Sequence, residues 1–333
     1  MQEITKLALD AHYGVGDAVN YSKDKNNTTL RNALIEINNG KTFIDPKDIR
    51  DGKCNGLFTI IEEVIQKTTN DGLIGNEFFM NFVEERNLAL GDDNIFWIER
   101  DNLFRVAEVA DGTQGLRRQR LNQGESITIP TKTRGIKIAE DMNRILSGRV
   151  NMDEMIDKVS RSVQKDLLER TYGIWGTLTA SDVGGVTYYP VSGSYSEAAL
   201  IEIIDHVEAD SGAEAVVLGS RQALRKIKTD TISDPAKKDM YDMGYIGKFN
   251  GANVVKVDQR HKTGSTQFMF PNNKVYVIAT VGSPIKYVTK GEMYIGNGDF
   301  ASHGDLTQDY LCLYSDGLEW ISANNFGVYE FSV

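Results

Sequence analysis

The chain has 333 residues, 41% apolar and 25% charged, with 6 prolines and no low-complexity tract, so two or three folded lobes are expected rather than disorder. Its 37 basic and 47 acidic side chains leave a net charge of −10, the wrong sign for gripping nucleic acid over a broad face. No apolar run is long enough to span a bilayer, and the charged start, Met1 to Lys6, lacks a signal peptide's apolar stretch, which argues against membrane insertion and secretion.

The N-terminal region reads as helices joined by irregular chain. Ile4, Leu7, Ala8 and Ala11 have helical spacing that stops at Gly14 and Gly16, and residues 21–27 read as loop or extended arm. Leu57, Ile60, Ile61, Val64 and Ile65 form a helical stripe, and Phe78, Phe79, Phe82 and Val83 form a short helical patch. These stripes suggest no closed core of their own, so this arm is expected to pack along other parts of an assembly.

Residues 103–138 read as a long hairpin. Phe104, Val106 and Glu108 alternate outward; Ile127, Ile129, Ile136 and Ile138 alternate on the return. The tip, residues 112–124, carries Arg117, Arg118 and Arg120. Two strands alone are marginal in water, so the ribbon is expected to lie on another subunit.

A long amphipathic helix follows, residues 151–175. Its apolar face runs through Met152, Met155, Ile156, Val159, Val163, Leu167, Tyr172 and Trp175. Glu154–Lys158, Asp157–Arg161 and Asp166–Arg170 have the acid-before-base spacing that supports an exposed helix face. From 184 to 302 the pattern becomes mixed α/β. Ser196 is placed to cap a helix, residues 215–218 form a buried strand, and Gly219-Ser220 turns into another helix. Asn250-Gly251 signals a type I′ hairpin between 244–249 and 252–257. Further strands are expected over 274–281 and 285–289, with a last β-rich stretch at 310–314 and 328–331.

Catalytic motifs are absent or unconvincing. Gly296, Gly298 and Ala301 fit a dinucleotide fingerprint with Asp316 at ribose spacing, but Gly304 stands where its helix should run and too little chain remains afterwards. Cys54 and Cys312 make no CxxC pair and read as a loop thiol and a buried strand residue; His12, His206, His261 and His303 are scattered. The doublets Glu62-Glu63, Glu84-Glu85 and Asp92-Asp93 read as solvated faces of helices rather than catalytic pairs. No catalytic residue, cofactor or metal site is therefore assigned, and the protein reads as a non-enzyme.

Charge is unevenly distributed. Residues 62–101 hold 10 acids and 3 bases, whereas residues 104–137 hold 7 bases and 3 acids. A basic island beside an acidic block calls for a partner, either nucleic acid or an acidic surface on another copy.

The order of these elements, the loop Glu140-Asp141-Met142-Asn143-Arg144-Ile145-Leu146-Ser147-Gly148 before the long helix, and the runs Val216-Val217-Leu218-Gly219-Ser220 and Gly244-Tyr245-Ile246-Gly247 together resemble the major capsid protein of tailed bacteriophages. The resemblance implies an α+β, Hong Kong 97-type capsid fold. It divides the chain into an N-terminal arm (1–102), an extended β-hairpin or E-loop (103–138), a peripheral domain with the spine helix (139–183), a mixed α/β axial domain (184–302) and C-terminal strands returning to the peripheral domain (303–333). It further implies hexamers and pentamers of this chain forming the icosahedral shell of a virion in the host cytoplasm. The shell would enclose double-stranded DNA without sequence-specific recognition. The chain starts at Met1 without an extended charged helix, so an uncleaved subunit is expected, with a separate scaffolding protein and a portal as partners. Some relatives cross-link subunits through a lysine and an asparagine. Lys132 lies on the hairpin, but no asparagine or assisting acid matches, so no cross-link is assigned.

An encapsulin-like nanocompartment shell is the alternative. An enzyme would need a polar cluster that the sequence does not offer, and a nucleic-acid module would need more aromatics beside its arginines. The expected subunit interface comprises Arg117, Arg118, Arg120, Lys132 and Arg134 on the hairpin, facing Glu84, Glu85, Asp92 and Asp93 of a neighbour.

Overall fold

The computed structural model describes residues 23–43, 81–89, 94–98, 125–140, 152–178, 188–228, 240–291, 294–297, 308–322 and 324–332, with scattered positions in 45–67, 91–92, 104–119 and 144–149. Three sheets and four helices stand out among them. The helix expected at residues 4–11 lies outside the described residues.

The N-terminal expectations need correcting at two places. Helix α1 spans Lys23–Ile37, covering most of the stretch read as loop or arm. Leu34 on that helix is buried, and so are Ile60 and Val64 of the helical stripe, so part of this region packs inside the subunit. Strand β1 spans Val83–Leu88, so Val83 begins a strand instead of ending a helical patch. The doublet Glu84-Glu85 therefore points to opposite faces of a strand, as period-two geometry requires.

Strands β2 (Ile95–Ile98) and β3 (Glu125–Thr128) pair antiparallel, with Ile95 opposite Thr128. The hairpin's paired base thus begins upstream of residue 103, while Phe104, Val106 and Glu108 are exposed and outside any strand. The return arm is broken at Pro130. Strand β4 (Lys132–Glu140) does not continue the isolated ribbon; it joins a five-stranded sheet. Its partner there is β12 (Gln308–Trp320), against which it runs antiparallel for its whole length, Lys132 opposite Asp316 and Glu140 opposite Gln308. A ladder of that length inside the subunit satisfies backbone groups that a two-stranded ribbon would leave to water. The same sheet includes β1, β10 (Ile285–Lys290) and β11 (Tyr294–Asn297).

Gly317 permits the break. A Cβ there would lie 2.8 Å from Ile129 Cγ2 and 2.9 Å from the Pro130 carbonyl oxygen, so the chain between β3 and β4 crosses β12 where a side chain is missing.

Helix α2 spans Met152–Thr177, through Gly173 and Gly176. Its three ion pairs form as the spacing predicts: Glu154–Lys158 at 2.7 Å, Asp157–Arg161 at 3.0 Å and Asp166–Arg170 at 2.9 Å. The six-stranded sheet is built from β5 (Tyr188–Gly193), β6 (Ala215–Ser220), β7 (Lys248–Phe249), β8 (Ala252–Val257), β9 (Lys274–Ala279) and β13 (Phe326–Phe331). Their order across it is β5-β13-β9-β6-β8-β7. Helix α3 (Glu197–Ser211) is capped by Ser196 as expected, and the short α4 (Arg221–Leu224), expected after Gly219-Ser220, is capped by Ser220. Asn250 and Gly251 have φ of 46° and 89°, the left-handed pair that a type I′ turn demands.

Sheet membership cuts across the expected division near residue 302. Strands β10 and β11 precede it yet belong to the five-stranded sheet, whereas β13 follows it and joins the six-stranded one.

The main core lies where the C-terminal half of α2 wedges between the two sheets. Trp175, at 0% exposure, meets Trp320 at 4.9 Å and Phe82 at 6.4 Å on the five-stranded side. On the six-stranded side its ring meets Tyr276 at 5.1 Å, and the Tyr276 hydroxyl donates to the Trp175 carbonyl. A second core packs α3 and α4 on the other face of the six-stranded sheet. Ile203 occupies the space over Gly327, where a Cβ would overlap it at 2.1 Å.

Candidate functional site

The best-defined polar constellation joins the hairpin's return strand, the C-terminal strand and the long helix. Asp316 on β12 has a fully buried side chain and accepts from two arginines. Arg134 Nε on β4 donates to Oδ1 at 2.9 Å, and Arg170 Nη2 on α2 donates to Oδ2 at 2.5 Å. Arg170 Nε also donates to Asp166 at 2.9 Å. Burial opposes the Arg170 charge, but the hydrogen bond and the charge of Asp316 outweigh it, so its pKa stays raised. The arrangement holds three elements in fixed register. It is a structural junction. Asp316, at ribose spacing from the glycine-rich run, instead neutralises two guanidinium groups.

Three tyrosines near the main core and this junction are kept neutral by desolvation. Tyr172 and Tyr314 are each pushed up to about 12, and Tyr287, almost fully buried, is pushed upward as well. A tyrosine whose pKa is raised on folding stabilises the native state fully below its unfolded value near 10, and that stability is lost as pH rises through the folded value. Unfolding midpoints should therefore be level up to about pH 9.5 and fall between about pH 10 and 12. A denaturant series with absorbance at 295 nm tests this; equal stability at about pH 9 and about pH 11.5 would refute it.

The expected interface residues have different fates. Arg134 is engaged inside the subunit with Asp316. Lys132 is exposed near it on β4. Glu84 is ion-paired with Lys286 and lies 3.8 Å from Arg86. Glu85 is exposed by area, though partial desolvation raises its carboxyl pKa. Asp92 and Arg118 are exposed; Arg117, Arg120 and Asp93 lie outside the described residues. Arg86, which sequence reasoning passed over, stacks on Phe96 with its guanidinium carbon 4.0 Å from the ring centroid and donates to the Ile95 carbonyl at 3.1 Å. It pins the hairpin base to β1. Its place directly after the acidic doublet, Glu84-Glu85-Arg86, was the available signal.

Two open cavities stand out among the described residues. One of about 360 Å³ lies at the hairpin base between Arg86, Trp97, Val281 and Lys286. The other, about 880 Å³, lies at the carboxyl ends of β6 and β8, bordered by Arg221, Arg225, Tyr241, Lys256 and Phe268. Neither shows a nucleophile paired with a base among the described residues.

Among solved structures the chain is similar to a virus-like particle from Pyrococcus furiosus (13% identity, 80% of this chain and 98% of that one, TM-score 0.45). It is also similar to the capsid of Cyanophage P-SCSP1u (11% identity, 76% and 88%, TM-score 0.49) and to Microbacterium phage Oxtober96 (11% identity, 78% and 91%, TM-score 0.49). No curated protein sequence matches the chain. The protein family described as "SPbeta prophage-derived putative capsid protein YonB" matches residues 21–309. That span runs from helix α1 through strand β11 and includes Arg134 and Arg170 of the junction, leaving residues 1–20 and 310–333 outside it. With well over half of its length matched in this way, the chain belongs to the YonB family of prophage-derived capsid proteins and serves as a structural capsid subunit.

Proposed function

We propose that this subunit builds an icosahedral shell of the Hong Kong 97 type around double-stranded DNA, as hexamers and pentamers of one chain. In this reading α2 is the spine helix of a peripheral domain that includes the five-stranded sheet. The six-stranded sheet with α3 and α4 is the axial domain. The segment between β2 and β3 is the extended loop, and the N-terminal residues form an arm. A scaffolding protein and a portal assist assembly in the host cytoplasm, and DNA is enclosed without base-specific contacts. An acidic chain suits that last task, because strong phosphate contacts would oppose packing and release.

The observation that carries this reading is the family match over residues 21–309. The Arg134–Asp316–Arg170 junction supports it, since it anchors β4, the strand that follows the base of the extended loop, on the long helix. The prophage-derived family favours a viral shell over an encapsulin-like compartment. Negative-stain microscopy of the expressed chain, alone and with its scaffolding partner, tests it. Closed shells or capsomers are expected; a stable, folded monomer under every condition would count against it.

Within this reading, Arg117, Arg118 and Arg120 dock on an acidic surface of the neighbouring subunit. Glu84 already has cationic partners, so Glu85, Asp92 and Asp93 are the acceptors to test. Exposed pairs contribute about 0.2–1 kcal/mol each, so no one arginine decides the contact, but a repeated cluster sets docking register and rate. Changing all three to glutamate should slow or block shell formation and leave monomer unfolding unchanged. Higher salt should weaken the wild-type effect, because exposed charges are screened over about 8–10 Å at physiological ionic strength. Normal shells from the triple variant would exclude this docking.

A further inference from the structure

The 880 Å³ groove has an unusual lining for so acidic a chain. Arg221 and Arg225, one helical turn apart at α4, are both exposed and make no ion pair or side-chain hydrogen bond among the described residues. Lys256 across the groove is held by Asp258 at 2.7 Å. Tyr241, 94% exposed, and Phe268, 49% exposed, contribute to the wall together with Met240. Arginine, tyrosine, phenylalanine and methionine are the residues enriched where proteins bind proteins. The groove is open, and two guanidinium groups on its wall call for carboxylates.

The same domain carries a complementary surface. Helix α3 contains Glu197, Glu202, Asp205, Glu208 and Asp210 and no lysine or arginine. Glu208 and Asp210 are used internally, accepting from the backbone N–H groups of Ala215 and Asn325 at 3.0 Å each. Glu202 and Asp205 remain on the exposed face, where His206 lies 4.0 Å from Glu202. The two surfaces occupy different places on the six-stranded sheet. Helix α3 packs over β9 and β13, whereas the groove opens at β8, beside the edge strand β7. A subunit therefore presents an acidic flank on α3 and a basic flank at the groove.

We infer that the groove at Arg221 and Arg225 receives the α3 flank of a second copy, Glu202 and Asp205, in a head-to-tail contact. Different patches meeting in this way generate a ring when the rotation closes. The inference rests on the shell reading above and specifies which surfaces of the six-stranded unit face each other around such a ring. The aromatic rim supplies contact area, and the charge pairs set register and association rate.

Charge reversal tests it in three variants, each scored by sedimentation and particle counts. R221E/R225E and E202K/D205K should each lower particle yield about tenfold or more, as like charges facing across a contact suppress association, while thermal unfolding of the monomer is unchanged. The quadruple variant, with both flanks reversed, should recover most of the wild-type yield, which a merely structural role for these residues would not produce. If wild type assembles and both double variants assemble as well as it does, this contact is wrong while the shell reading stands. Failure of wild type to assemble at all would strike the shell reading instead. If the groove variant assembles normally but loses retention of a short DNA duplex in an electrophoretic shift, the groove's partner is nucleic acid and the inference is overturned. Double variants that fail without rescue by the quadruple variant also overturn it.

Discussion

Replacing Asp316 with alanine should destabilise the subunit by about 3 kcal/mol, read as a lower urea midpoint with an unchanged slope. The carboxylate is fully buried and serves two guanidinium groups, so its loss leaves two cations facing each other across a vacated site. Removing one partner of a buried ion pair costs about 3–5 kcal/mol, and the lower end applies because Arg134 and Arg170 retain 34% and 19% side-chain exposure through which water can reach them. Asp316→Asn, which keeps the shape and one acceptor, should cost less than the alanine variant. Glu154→Ala, removing an exposed helix pair, should leave the urea midpoint almost unmoved and serves as the control. A loss below about 1 kcal/mol for Asp316→Ala would mean that the junction is incidental. The assembly consequence is separate. Because β4 leads out of the hairpin base, loosening Arg134 should reduce shell yield more than the stability loss alone accounts for.

Trp175→Ala should cost about 3–5 kcal/mol, the range for deleting a buried aromatic, and should also change the form of the transition. The indole bridges the two large sheets, with Trp320 and Phe82 on one side and Tyr276 and Phe270 on the other. Without it, each sheet keeps its own strand ladder but loses the shared packing that couples their unfolding. Near-ultraviolet and far-ultraviolet circular dichroism should then give separated midpoints where wild type gives coincident ones. Trp175→Phe should recover part of the stability and restore coincidence. Coincident transitions with a loss under about 1.5 kcal/mol in the alanine variant would show that the sheets are coupled elsewhere.

The features legible from the sequence are those whose cause is local. The long helix was legible because its apolar face repeats through Val159, Val163, Leu167, Tyr172 and Trp175, and its ion pairs sit one turn apart. The cap at Ser196 and the turn at Asn250-Gly251 were legible because a side-chain oxygen or a positive φ within a few residues decides them. Helix α1 escaped because it opens Lys23-Asp24-Lys25-Asn26-Asn27, a start with the look of a loop, and its buried face is short, centred on Leu34.

Strand pairing was not legible. Alternation of Ile127, Ile129, Ile136 and Ile138 marked the return arm as a strand, but period two says nothing about which strand lies beside it. The partner sits in the last part of the chain, and Arg134 meets Asp316 across 182 residues of sequence. Arg134 therefore looked like an exposed interface cation, and Asp316 had no role beyond its spacing from a glycine-rich run that fails as a nucleotide motif. Both impressions came from neighbours in sequence; their roles come from neighbours in space. The sequence by itself determined the helices with clear periodicity, the caps and turns, the acidic balance and the resemblance to phage capsid proteins. Only the tertiary structure decided that β4 belongs to the five-stranded sheet, that Trp175 packs between two sheets, and that an acidic helix and a basic groove share the six-stranded sheet. Hydrogen bonds and ion pairs act over about 3 Å, and only folding brings residues so distant in the chain within that reach.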